Sequence, residues 1–213
     1  DKGKNNFLCA VHLSKLKHGI SFIDVTTGEF LYAEGDVEYI DKLISSMQPS
    51  EIVFQKNKKG DFNALFSKKH YSYGIDDWVF TDDFANDSLT GHFGTKSLKG
   101  FGINKVNKGV IAAGAILHYL NENQQKNLGH INSLKRIEAE QYVWLDRFTI
   151  RNLELIYSPH EDASTLVDVL DETLTPMGSR MIKRWLVLPL KDEPLIIKLL
   201  PSDFRFTYFS FPF

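Results

Sequence analysis

The residue best placed to do chemistry is Asp24, within Phe22-Ile23-Asp24-Val25-Thr26-Thr27-Gly28. An aspartate on an early strand, just before a Thr/Gly turn, can present its carboxylate to a metal ion or a phosphate. Two-metal chemistry, however, needs several carboxylates converging on the ions. The other acidic residues of this half, Asp36, Asp41, Asp61, Asp76 and Asp77, fall in loops or helix starts rather than at strand ends. The plainer reading makes Asp24 a turn residue whose side chain accepts from nearby backbone N–H groups.

The remaining candidates are weaker. Gly94-Thr95-Lys96-Ser97 has the letters of a phosphate-binding loop, but that motif needs Gly directly before Lys, and here Thr95 intervenes. Gly100-Phe101-Gly102 is too short for a dinucleotide fingerprint. The histidines (12, 18, 70, 92, 118, 130 and 160) are scattered, and no pair has zinc-site spacing. Ser158-Pro159-His160-Glu161-Asp162 holds the letters of a hydrolase triad, yet sequence neighbours do not make that geometry. Cys9, in an apolar strand, reads as a small core residue. Lys56, Lys58, Lys59 and the basic residues near 180–184 read as solvated faces.

These residues are carried by two kinds of pattern. Residues 7–33 read as three short strands in an antiparallel meander: Phe7–Val11, Ile20–Val25 and Glu29–Tyr32. Behind a cap at Asp36, Val37, Ile40, Leu43, Ile44 and Met47 lie at helical spacing, and Pro49 stops them. Glu51–Phe54 is a β-rich run, a short helix falls near Phe62–Phe66, and His70–Tyr73 reads as an edge strand. Strands mixed with helices in this order give an α/β layer with a mixed sheet.

A helix is expected over Thr81–Thr90, a glycine-punctuated loop over Gly91–Gly102, and a helix rich in small residues over Val106–Tyr119. The Asn/Gln/Lys stretch 121–127 is the expected boundary, giving domains 1–128 and 129–213. Past it, Ile131–Trp144 reads as extended, and helices follow at Leu145–Tyr157, Ser164–Leu170 and Pro176–Leu188. The last has Thr175 as N-cap and Pro176 at its first position. Met177, Met181, Trp185 and Leu188 fall on one face, expected to pack on Leu153 and Ile156, while Arg180, Lys183 and Arg184 point away. The aromatic tail 201–213 breaks in composition with everything before it.

The 213 residues carry 25 Lys+Arg against 27 Asp+Glu, a balance unlike the basic excess of a free-standing DNA-binding domain. The single cysteine excludes an intrachain disulfide and fits a reducing compartment. No apolar run approaches transmembrane length. The amino end lacks Met and an apolar signal core, so the chain reads as the middle of a longer cytosolic protein.

At 145–190 the residues stop being generic. Leu145-Asp146, Thr149-Ile150-Arg151-Asn152-Leu153-Glu154-Leu155, Leu170-Asp171-Glu172-Thr173-Leu174-Thr175-Pro176-Met177-Gly178-Ser179-Arg180 and Lys183-Arg184-Trp185-Leu186 resemble the start of the core domain of MutS-type DNA mismatch-repair proteins. Phe93-Gly94-Thr95, Gly100-Phe101-Gly102, His130-Ile131 and Ile23–Phe30 resemble the connector domain of that family. The resemblance spans about residues 7–197, and the tail departs from it.

The resemblance implies a ribonuclease-H-like α/β connector without nuclease activity, then an incomplete α-helical core. It implies a segment that links mismatch binding to the ATPase of a dimeric clamp and offers a contact surface to MutL. The family's mismatch reader would precede residue 1 and its ATP- and Mg-binding motifs would follow residue 213. It therefore implies no catalytic, cofactor or metal residue in this chain, which would not be an enzyme by itself. Mismatched DNA and the MutS homodimer would belong to the full-length protein, in the cytoplasm at the nucleoid. Arg151, Asn152, Thr175, Pro176, Met177, Gly178 and Trp185 match the family motif in a structural role. The rival reading is a ribonuclease-H-like, metal-dependent nuclease using Asp24.

Overall fold

The computed structural model describes residues 7–66, 70–123, 128–138, 141–160 and 163–199. The tail 201–213 lies outside them. The chain divides into two compact units between Ile137 and Glu138.

The first unit is a mixed α/β sheet with flanking helices. Its strands are β1 (Phe7–His12), β2 (His18–Asp24), β3 (Glu29–Gly35), β4 (Glu51–Gln55), β5 (Ser72–Ile75) and β6 (Lys135–Arg136), in the order β5-β4-β1-β2-β3-β6. β1, β2 and β3 form an antiparallel meander, with Phe7 opposite Asp24 and Asp24 opposite Glu29. β4 runs parallel to β1, β5 parallel to β4, and β6 parallel to β3. Every residue of β1 and β2 is buried, as expected of central strands covered on both faces.

Alternation along the strands sorts the two faces. Leu8, Ala10, Ile23, Tyr32 and Val53 face α3 (Asp82–Phe93) and α4 (Lys108–Glu122), sharing a core with Leu89, Val110, Ala113 and Leu117. On the other face, Phe54 stacks on Phe62 of α2 (Lys59–Leu65), with ring centroids 4.2 Å apart. There α1 (Val37–Met47) lies against β2 and β3, burying Ile40, Leu43, Ile44 and Met47. The expected cap forms, since Asp36 accepts from the Tyr39 N–H at 2.8 Å.

Two closures of this unit exceed the sequence reading. The helix starting at Asp82 runs through Gly91 to Phe93, with Thr81 as its cap, so the expected loop begins later. The unit also ends later than residue 128. Leu128, Ile131 and Leu134 are buried in its core, and Lys135–Arg136 pair with Leu31 and Tyr32. A polar stretch in sequence is therefore not a unit boundary, because the apolar residues after it have a sheet edge and a core to return to.

The second unit holds α5 (Arg147–Asn152), α6 (Leu166–Leu170), α7 (Pro176–Val187) and α8 (Glu193–Leu199). Near residues 141 and 189, Val143 N–H donates to Pro189 O and Lys191 N–H to Gln141 O, both at 2.8 Å. The helix expected over Leu145–Tyr157 stops at Asn152. Glu154 takes a left-handed backbone (φ 48°), and the carbonyls of Glu154 and Leu155 accept from Leu166 and Val167 N–H rather than from a next helical turn.

The packing of α7 corrects the expectation. Met177 is 59% exposed, Met181 47%, Trp185 43% and Leu153 59%, so that stripe is not buried on α5. Burial falls instead on Val187 and Leu188 at the end of the helix, and α7 packs on α6. Helical spacing locates a face correctly; it does not say whether this stretch of chain supplies what covers it.

Candidate functional site

Asp24 ends β2, and its carboxylate is turned onto the loop it starts. Oδ1 accepts from Thr26 N–H at 2.8 Å, Thr26 Oγ1–H at 2.6 Å and Thr27 N–H at 3.4 Å. Its carbonyl accepts from Gly28 N–H at 2.8 Å. Gly28 sits at φ 76°, a left-handed conformation that side chains resist, and a Cβ there would press on His130 at 3.2 Å. The side chain is 2% exposed. Oδ1 of this aspartate is thereby committed to its own turn.

Among the described residues, no group of three or more His, Cys, Asp or Glu side chains could jointly hold a metal ion. The turn is latched from across the fold: His130 Nε2–H donates to Val25 O at 2.6 Å, and His92 Nε2–H to Ile131 O at 2.8 Å. The sequence marked His130-Ile131 only by resemblance. Its role as a clasp on the Asp24 loop has no local signal, because the partners lie a hundred residues apart.

The other candidates disperse. Gly94 terminates α3 in a left-handed conformation, so a helix rather than a strand precedes Lys96, unlike a phosphate-binding loop. Leu98–Phe101 form a 3-10 turn closed by Gly102. Cys9 is fully buried, which pushes its thiol up. His12 is buried too, and burial together with Lys108, Lys58 and His18 holds its imidazole down at about 4. His18 is lowered by burial and by Lys58, with Asp36 acting against them.

In the second unit the motif residues form local structure. Thr175 caps α7, accepting from Gly178 N–H at 3.1 Å, and Pro176 occupies the first turn. Gly178 has no room for a side chain, since a Cβ would stand 2.9 Å from Thr173 Cβ. Asp171 joins the turn to the helix, accepting from Thr173 Oγ1–H at 2.6 Å and from Ser179 Oγ–H. These donors hold its carboxyl below the usual range, Ser179 foremost. One helix earlier, Thr165 and Asp168 close a capping box, in which Thr165 holds the Asp168 carboxyl low. That box was readable as Thr-x-x-Asp, and sequence reasoning passed it over. Arg151 and Asn152 are exposed at the end of α5.

The geometry is thus an α/β sheet unit in which Asp24 Oδ1 holds a turn, followed in the chain by a unit of short, capped helices. Residues 6–132 match the family described as MutS domain II, and residues 148–199 the family described as MutS domain III. The chain is 56% identical over 196 residues, 92% of its length, to the DNA mismatch repair protein MutS of Christiangramia forsetii. It is 53% identical over 192 residues, 90% of its length, to the proteins of the same name from Flavobacterium psychrophilum and Cytophaga hutchinsonii. It spans about 22% of the length of each. The chain belongs to the MutS family.

Proposed function

We propose that this chain is the connector and the beginning of the helical core of a mismatch-recognition ATPase, and that its work is mechanical. It links mismatch binding to ATP hydrolysis and offers a surface to a MutL-type partner. The observation that supports this reading is the Asp24 turn: the residue best suited to catalysis uses its Oδ1 to hold a loop, inside a unit that matches MutS domain II.

On this reading the first unit is ribonuclease-H-like in fold without nuclease chemistry, and the second is the incomplete start of a core whose remaining helices cover Met177, Met181 and Trp185. ATP and Mg²⁺ are held by a part of the protein outside this chain, as is the mismatch reader. The full-length protein acts as a homodimer on mismatched DNA in the cytoplasm, at the nucleoid. For the described residues, no helix is long and apolar enough to cross a membrane.

Titration calorimetry of the chain against a purified MutL-type protein tests the partner surface. Saturable binding that a full-length MutS protein competes away is expected. Absence of binding, with the first unit shown folded, would remove that role.

A further inference from the structure

The segment between α3 and α4 lacks the form of a usual phosphate-binding loop, yet it lines a basic concavity. Lys96, Lys99 and Lys105 line a depression of about 130 Å³ together with Ser97, Asn86 and Asn104. No carboxylate is among the lining residues. Among the described residues, none of the three ammonium groups pairs with an Asp or Glu. Three like charges round one hollow repel each other and raise the local concentration of anions.

The hollow is held in shape from beneath. Leu98 and Ile103 are buried in the core of the first unit. Between them the backbone closes through Gly102 N–H to Lys99 O at 3.0 Å and Ile103 N–H to Leu98 O at 3.3 Å. Ser97 Oγ accepts from Lys99 N–H at 3.1 Å, which leaves its own hydrogen free to be donated. Lys99 thus springs from an anchored turn, with Lys96 and Lys105 on either side of it in the chain.

We propose that this depression binds one phosphate group, supplied by a nucleic-acid backbone or by a small phosphate compound. A phosphate offers several oxygens to donors arriving from different directions, and lysine ammoniums serve it as mobile point charges. The Ser97 hydroxyl and the Asn86 and Asn104 amides add neutral donors at the rim. The site is independent of any MutL contact, and its failure would leave the proposed function untouched.

The test uses the whole ¹⁵N-labelled chain at low salt, titrated in separate arms with inorganic phosphate, a short DNA duplex and poly-glutamate. Lys96→Gln/Lys99→Gln/Lys105→Gln is compared with a charge-matched control, Lys15→Gln/Lys17→Gln/Lys59→Gln. Ser97→Asp is the second variant, keeping an acceptor for the Lys99 N–H while placing a negative charge in the hollow. Phosphate or duplex should shift the Ser97 and Lys99 amides; phosphate alone identifies a small-anion site, and the duplex a backbone site. The triple variant and Ser97→Asp should weaken binding roughly tenfold, and the triple variant should lower the salt slope for DNA by about one. The control should bind like the unaltered chain. Equal loss in control and triple variant, or amide shifts with poly-glutamate and with neither phosphate ligand, would overturn the assignment.

Discussion

Gly19 makes the tightest backbone approach of the described glycines in the first unit. It sits near the start of β2, and a Cβ there would stand 1.8 Å from Lys108 O and 2.5 Å from Gly109 N, at the first turn of α4. Gly109 in turn touches β3, where its own Cβ would meet Ala33 O at 2.3 Å. Strand and helix therefore meet backbone to backbone, and neither neighbour is a flexible side chain that could swing away. Gly19→Ala requires α4 to withdraw by about 1.5 Å, and a gap of that size forfeits half or more of the contact energy along the seam. Overpacking of this kind costs about 3 kcal/mol, while the reduced freedom of the unfolded chain returns only about 0.5–1 kcal/mol. A net loss of about 2 kcal/mol is expected. Gly91→Ala gives the opposite sign, since it lies within α3 with nothing near its Cβ, and should stabilise by about 0.5–1 kcal/mol. Urea unfolding followed on the β1 and β2 amides by NMR measures both. A Gly19→Ala chain as stable as the unaltered one would refute the close-approach argument.

Further outcomes follow from other residues. Asp24→Ala should cost about 2 kcal/mol, from two strong bonds to a carboxylate whose donors partly recover water, and Asp24→Asn about half that; neither change should alter the fate of DNA incubated with Mg²⁺ or Mn²⁺, and cleavage lost in Asp24→Asn would restore the nuclease reading. His12 takes its proton at about 4 when folded and near 6.5 when unfolded. Its contribution is therefore complete above pH 6.5 and falls away, by up to about 3 kcal/mol, as the pH drops towards 4; His12→Gln should flatten the stability profile there, and an unchanged profile would count against it. Trp185→Ala should cost only about 1 kcal/mol and Leu188→Ala, at 3% exposed, about 3 kcal/mol. Melts of the second unit in which the order is reversed would mean that the Trp185 face is covered.

The first unit was legible because its signals are local. Alternation gave the meander, Asp36 announced its helix, and Pro49 marked a stop. Asp24 was readable as a turn residue because its partners, Thr26, Thr27 and Gly28, follow it directly. What escaped was long-range. His130 reaches back to Val25, and Lys135–Arg136 return to β3 after a polar stretch that looked like a boundary. In the second unit the cap at Thr175 and the helix start at Pro176 were plain, yet the exposure of Trp185 was not, since a hydrophobic stripe names a face and leaves its cover unspecified. The left-handed Glu154 that shortens α5 carries no sequence mark, because its cause is the pairing of its carbonyl with Leu166.

The central claim, that this chain is a working internal segment of a mismatch-repair protein, is tested most directly by transplantation. The matching segment of the Christiangramia forsetii MutS protein is replaced by this chain, and the chimera is expressed in a strain lacking its own MutS. The spontaneous mutation rate is then measured by fluctuation analysis. A rate close to that given by the intact protein is expected, with Gly19→Ala in the chimera raising it again. A chimera that is folded and abundant, yet leaves the rate at the level of the deletion strain, would contradict the account.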